Sequence, residues 1–383
     1  MTLQSGGLAK RILPNEPNTN GYLDYLKAAD GISIPEFSMY RVWDSSNPGS
    51  DTKAFATPLA RKKSEVEKFG IWLKLMAQGN TKVSTRGTRY LGLEDSRFMD
   101  LTHLACDSAY IAYSRGDWLK GTNQMLELIT FCNNVHKQNL RALQAGNNLF
   151  STALTAFVAQ RDRWSVEDCE RIVKRTSAFL NEKSPILNAL EADYAAAPTK
   201  CDQILAGTSE GYSNSPEGLN LARKIGALSA SDLQILKITV GDHVKATFEP
   251  LMNRFRQEEA AWNSDVIRSS DPIQSTSSAG LSPLAESILK MVVPTQAELD
   301  SGIKSRRQIR LLNLYAKVQG FRWHRGHLPS MLTEVAARSE LIDPRTKKLF
   351  RLDQKTGSAY RIVVTDSENE DPLAPYSPSV GGG

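Results

Sequence analysis

Glu94 to His136 reads EDSRFMDLTHLACDSAYIAYSRGDWLKGTNQMLELITFCNNVH, and this stretch decides the fold. Phe98, Leu101, Leu104, Ala105, Ala109 and Ala112 recur three or four positions apart, a spacing that gathers apolar side chains on one face of a helix. Met125, Leu128, Ile129 and Cys132 repeat the pattern beyond Gly116-Asp117. A glycine closing one helix and an aspartate capping the next are the usual punctuation between two helices. The stretch therefore predicts a hairpin of two antiparallel helices.

The same pattern extends in both directions. Thr57-Pro58 predicts a helix start, and Val66, Phe69, Leu73 and Met76 form one apolar face before Gly79 stops it. Ser165-Val-Glu-Asp168 has a capping-box arrangement ahead of Ile172, Val173, Phe179 and Leu180. Ser184-Pro185 opens a further helix. Ser229 or Ser231 opens a long one through Leu236, Val240, Val244 and Phe248, which Pro250 is expected to kink or break. Helices from about Leu284 to Met291 and from about Gln296 to Arg322 follow, the second with a broad stripe of Ile309, Leu311, Leu312, Tyr315, Ala316 and Val318.

Composition then changes. Gly326 and Pro329 frame a short helix from Ser330 to Arg338, Asp343-Pro344 begins a turn, and Leu349–Leu352 and Ala359–Val364 pair as a β-hairpin. The expected fold is mainly α, a helical bundle or stack of hairpins with a small C-terminal α+β module containing that hairpin. The expected divisions are a helical body over 1–262, a polar, Ser-rich linker or mobile loop over 263–283, a helix plus module over 284–364, and an acidic, disordered tail over 365–383.

The chain has 383 residues, with 47 basic against 42 acidic side chains and a hydrophobic share of 40%, enough to bury a core and unlike a disordered polyelectrolyte. No run approaches the ~18 apolar residues of a membrane-spanning helix. Met1 to Pro17 contains Lys10 and Arg11 but no apolar segment of the secretory kind. Charge is uneven: Lys304 to Arg361 holds 14 Lys or Arg against four acids, while Asp366, Glu368, Glu370 and Asp371 follow in the final segment. Arg306, Arg307, Arg310, Arg322 and Arg325 on the long helix form a candidate basic interaction face, for phosphate or for acidic protein surface. A solvated helical surface is the plainer alternative.

Ala112 to Gly121 is similar to the helix-turn-helix junction of a tetratricopeptide repeat. A repeat array needs at least ~3 units, and no second copy follows, so this is an isolated hairpin. His103-x-x-Cys106 and Cys132-x-x-x-His136 have the local spacing of metal ligands, but folding the hairpin about Gly116-Asp117 leaves them out of register, so buried structural cysteines are expected and no cofactor or metal is assigned. Cys169 and Cys201 stand nearly level if their helices fold back at Ser184, which makes them a candidate disulfide in an oxidising compartment. Ser301-Gly-Ile-Lys304 has the short S-x-x-K pattern without its companion motifs, and Glu258-Glu259 sits on a charged helical run. His-Glu-x-x-His, Walker and G-x-G-x-x-G signatures are absent. In Trp323-His-Arg-Gly-His327 the cations complement the helix dipole, with base or phosphate stacking as the alternative.

From Leu314 to Arg361 a helix is followed by Gly326-His-Leu-Pro329-x-x-Leu332, Leu341-Ile-Asp-Pro344-x-Thr346, Leu349-Phe-Arg351 and Ala359-Tyr-Arg361. This resembles the C-terminal part of type II secretion pseudopilin-like modules. Asn20-Gly-Tyr-Leu-Asp-Tyr-Leu-Lys-Ala-Ala29 resembles the beginning of uncharacterised bacterial envelope proteins that join a helical body to such a module. The resemblance implies an extracytoplasmic bacterial protein, in periplasm or envelope, with the cytoplasm as the alternative location. The helical body, without catalytic signatures, is expected to be a non-catalytic interaction scaffold whose partner is protein. The alternatives are a nucleic-acid-associated protein using the basic module and an enzyme without a recognisable motif.

Overall fold

In a computed structural model of the protein, residues 20–32, 52–82, 94–136, 140–182, 184–207, 216–261, 281–354 and 360–364 are described. Residues 263–280 of the expected linker and the acidic segment from 365 lie outside them. The fold is mainly α: helices α1 (Gly21–Gly31), α2 (Thr52–Gly79), α3 (Glu94–Ser114), α4 (Trp118–His136), α5 (Leu140–Val158), α6 (Val166–Asn181), α7 (Pro185–Leu205), α8 (Pro216–Gly226), α9 (Ala230–Ala261), α10 (Pro283–Val292) and α11 (Gln296–Arg325). They precede two short 3-10 turns, Leu332–Glu334 and Arg338–Leu341, and an antiparallel hairpin of β1 (Phe350–Gln354) and β2 (Tyr360–Val364). Its register pairs Phe350 with Val364, Leu352 with Ile362 and Gln354 with Tyr360.

Local chemistry accounts for most boundaries. Gly116 adopts φ +78, the left-handed conformation glycine tolerates, and lets α3 turn into α4. Ser165 accepts from the Asp168 N–H at 3.1 Å and Asp168 accepts from the Ser165 N–H at 3.0 Å, closing the box at the start of α6. Ser229 accepts from the Asp232 N–H at 3.2 Å at the start of α9. Three expectations need correction. Helix α2 begins at Thr52, ahead of Thr57-Pro58. Helix α9 continues through Pro250, because Phe248, Leu251, Met252 and Phe255 bury the same stripe on both sides of it. The segment after Pro329 forms two separated 3-10 turns instead of one helix.

The chain divides into two compact units: Met1–His136, Ala145–Glu182 and Lys304–Gly383 in the first, Lys137–Gln144 and Lys183–Ile303 in the second. This differs from a body ending at 262 and a module starting at 284. The reason lies in α11, whose Ile309, Leu312, Tyr315 and Val318 share one core with Leu104, Leu128 and Phe157 of α3, α4 and α5 and with Tyr360 and Ile362 of β2. The module is therefore built into the first unit.

In that unit α1 packs on α2 and α3, and α3 on α4. Tyr22 and Tyr25 of α1 meet Phe98 and Phe131 edge-on, with centroids 5.9 and 4.9 Å apart, and those two rings are themselves 5.4 Å apart. A side chain at Gly79 would lie 2.5 Å from the Tyr25 ring, so the end of α2 needs glycine for α1 to approach. In the second unit α7 packs on α9 and α10, burying Ile186, Leu190, Val240, Phe248 and Ile288.

Candidate functional site

Four of the five arginines expected to form a basic face turn inward or pair. Arg306 is buried and donates to the Leu180 carbonyl at 2.7 Å. The Arg307 Nε lies 3.3 Å from Oδ1 of fully buried Asp343. Arg310, also buried, donates from Nη1 to the carbonyls of Ser339 at 3.3 Å and Ile342 at 2.5 Å. Arg322 pairs with Asp162 at 3.1 Å, and Arg325 is exposed. The expected face is thus largely a latch that fastens the 338–343 segment and α6 to α11. Sequence could count these charges but could not see that the chain returns along the helix and offers carbonyls to them.

The latch closes on Asp343. Its carboxylate accepts from the Arg345 N–H at 3.2 Å and the Thr346 hydroxyl at 2.7 Å, and its N–H donates to the Lys348 carbonyl at 2.8 Å. Lys347 takes φ +60 to complete this turn. Lys317 reaches Glu340 at 2.6 Å. Burial pushes the Glu340 carboxyl upward, but hydrogen bonds from Lys317 and the Ala337 N–H outweigh it and leave the group below its usual value. Burial also draws Arg310 below its ordinary value, against the pull of Glu340 and Asp343.

A second polar centre sits under the hairpin. Arg161, 1% exposed, stands 5.4 Å from the Tyr315 ring centroid and 5.2 Å from that of Tyr360. It donates to the carbonyls of Val158 at 2.9 Å and Tyr360 at 3.1 Å. The Tyr315 hydroxyl accepts from the Ile362 N–H at 3.0 Å. Burial pushes both tyrosine hydroxyls upward, so they stay protonated.

Cys106, Cys132, Cys169 and Cys201 are all buried, and none is in a disulfide. The proposed Cys169–Cys201 bridge is not formed. It assumed that α6 and α7 fold back on each other, but the units divide between Glu182 and Lys183, leaving Cys169 in the first core and Cys201 in the second. Burial pushes the Cys169 thiol up to about 12 and raises those of Cys132 and Cys201. His136 Nε2 lies 2.7 Å from the Ser305 hydroxyl, which donates to Asn147 at 3.4 Å. In a cleft this pair would suit nucleophilic chemistry. Here Ser305 and His136 are fully buried and Asn147 is buried beside them, so the arrangement serves packing.

The remaining motifs also have structural partners. Glu259 accepts from the Ser184 N–H at 2.7 Å at the start of α7, while Glu258 pairs with Arg254 at 3.1 Å. The Ser301 hydroxyl donates to the Ala297 carbonyl at 2.8 Å. Gly207-Thr-Ser-Glu-Gly211 has the lettering of a nucleophile elbow, but Gly207 follows the end of helix α7, whereas an elbow joins a strand to a helix; residues 208–211 lie outside the described ones. The Trp323 indole donates to the Trp164 carbonyl at 2.7 Å, and His327 meets the Phe321 ring edge-on at 5.7 Å. Among the described residues no three His, Cys, Asp or Glu converge as a metal site, and no helix is long and apolar enough to cross a membrane.

Sequence reasoning passed over two features. Lys62, 2% exposed, lies 3.2 Å from Asp107 and 3.3 Å from Glu65, a buried ion cluster between α2 and α3. Its only signal was a lysine at a core-facing position of α2. Large apolar side chains also remain on the surface of the first unit: Ile71, Trp118, Leu119, Trp323 and Met331. Comparison with protein-family models, curated proteins and solved structures gives no match.

Proposed function

We propose that the chain is a non-catalytic interaction scaffold of the bacterial cell envelope, with a helical body and a pseudopilin-like C-terminal module, acting on protein partners. The observation that carries this reading is how the polar groups are used. Arg306, Arg307, Arg310, Arg322 and Glu340 bind the chain's own carbonyls and charges, while Trp118, Leu119, Trp323 and Met331 are left at the surface. Exposed aromatic and methionine side chains are the types enriched where proteins meet partners. The residues behind the pseudopilin resemblance also act together: the Pro329 carbonyl accepts from Gln354 at 2.8 Å, Asp343 organises the turn, and Tyr360 anchors β2 to Gln319 at 3.3 Å.

Fractionation tests the location. The full gene, with its own upstream coding sequence, is expressed in a bacterial host, and the product is expected in the periplasmic or membrane fraction. Recovery in the cytosol alone would overturn the envelope assignment. A photo-crosslinker at Met331 is expected to give discrete protein adducts. Nucleic-acid binding at low salt with a steep salt dependence would favour the basic-face alternative instead.

A further inference from the structure

Helix α9 carries two large apolar side chains away from the core of its unit. Leu236, Val240, Val244 and Phe248 are buried, whereas Ile235 and Ile238 on the opposite side are 62% and 55% exposed. With exposed Ser231 and Asp242 they follow one another at spacings of four, three and four residues, the seam along which one helix meets another. Gly241 and Ala246, exposed on either side of the seam, keep its flanks low enough for a second backbone to approach.

The polar ends of the seam complement each other. Ser231 stands in the first turn of the 32-residue helix, where the dipole is positive and the first N–H groups have no partner within the helix. Asp242, a negative charge at the other end, has no ionic partner among the described residues. Neighbouring charges are already engaged: Lys237 lies 2.7 Å from Asp202, and Asp232 accepts from the Ser229 hydroxyl at 2.6 Å. The seam therefore reads donor, isoleucine, isoleucine, acceptor, an order that fits its own reverse.

We infer that this face of α9 binds a second copy of the chain, the two helices running antiparallel about a two-fold axis between Ile235 and Ile238. Each Ile235 packs on Ile238 of the other copy, and each Asp242 meets the Ser231 hydroxyl and the positive helix end of the other. A parallel pair would instead set Asp242 against Asp242. Two-fold pairing is the commonest way for a chain to associate with itself, because one self-complementary patch is enough. Covering two large side chains per copy falls below the roughly 1,000 Å² of a stable assembly, so the pairing is weak, with a dissociation constant on the order of 100 μM. The inference goes beyond the scaffold reading and is independent of it, because that reading rests on side chains of the first unit.

The test uses the full chain in sedimentation equilibrium from about 5 to about 500 μM, a range that brackets this constant. The average mass is expected to climb from monomer toward dimer. Ile235→Ser with Ile238→Ser should weaken self-association at least about tenfold, while Leu219→Ser, at an exposed apolar position on α8 of the same unit, leaves it unchanged. Register is read by oxidation: a mixture of Ile235→Cys and Ile238→Cys chains should form a disulfide-linked dimer about tenfold faster than either variant alone, since facing positions fall within disulfide reach. The four native cysteines are buried and do not compete. A monomer at every concentration, unchanged association in the double serine variant, or equal loss in Leu219→Ser would overturn the inference. So would either cysteine variant linking to itself as fast as the mixture does, or a photo-crosslinker at Ile238 that joins a different protein in cells in place of a second copy. Circular dichroism checks that each variant keeps the fold, and the cysteine pair decides alone if a serine variant does not.

Discussion

Arg310 and Arg325 look alike in the sequence and differ in the structure, so replacing each by methionine separates latch from surface charge. Methionine keeps most of the arginine stem and removes the guanidinium. At position 310 the loss leaves the carbonyls of Ser339 and Ile342 without their donor, the second of them bonded at 2.5 Å. A hydrogen bond involving a charged group contributes about 1.5–3 kcal/mol, and the longer contact to Ser339 counts for less. Removing a desolvated cation returns part of this, because burial already opposes the charge on Arg310. The net expectation for Arg310→Met is a loss of about 2–4 kcal/mol, and for Arg325→Met a change within about 0.5 kcal/mol. Urea unfolding followed by tryptophan fluorescence reads it, since Trp164 lies in the same core as the module. With a slope of about 3 kcal/mol per molar, the midpoint should fall by roughly 1 M for Arg310→Met. A loss below about 1 kcal/mol, or equal losses at both positions, would refute the latch.

Three further outcomes follow from the same structure. Ellman's reagent at pH 8 should leave the four cysteines unmodified in the native protein and label all of them in denaturant, and mass spectrometry without reductant should find no Cys169–Cys201 linkage. Ser165→Ala should destabilise the first unit by about 1 kcal/mol, measured by thermal unfolding, while Ser165→Asp should largely preserve stability because aspartate also caps. The lowered Glu340 carboxyl stabilises the fold above its unfolded value near 4.5, and this contribution fades as pH falls through and below that value. Glu340→Gln should therefore flatten the acid limb of a stability–pH profile, with little difference between variant and parent at the acid end.

The helical architecture was legible because burial of a stripe needs only local spacing. Phe98 to Ala112 and Met125 to Cys132 showed it, and Ser165 and Asp168 marked a boundary by chemistry confined to four residues. What could not be read was long-range. The division into units depends on α11 returning to the core of α3, α4 and α5, a pairing that no local period encodes. The mirror-image register behind Cys169–Cys201 failed for the same reason: a bend was visible, but not which neighbour each helix would choose. Arg306, Arg307 and Arg310 were visible as charge, but their acceptors are carbonyls of Leu180, Ser339 and Ile342 and a carboxylate at 343, which sequence leaves anonymous.

The small sheet has one further consequence. A two-stranded ribbon ordinarily offers its outer backbone groups to any passing chain, and growth by strand addition is a common route to fibres. Along β2 the outward amide of Ile362 is held by the Tyr315 hydroxyl and the carbonyl of Tyr360 by Arg161. Polymerisation along that margin would first have to evict two buried side chains. The arginine and tyrosine that look like core filling thus also act as a stopper along that margin.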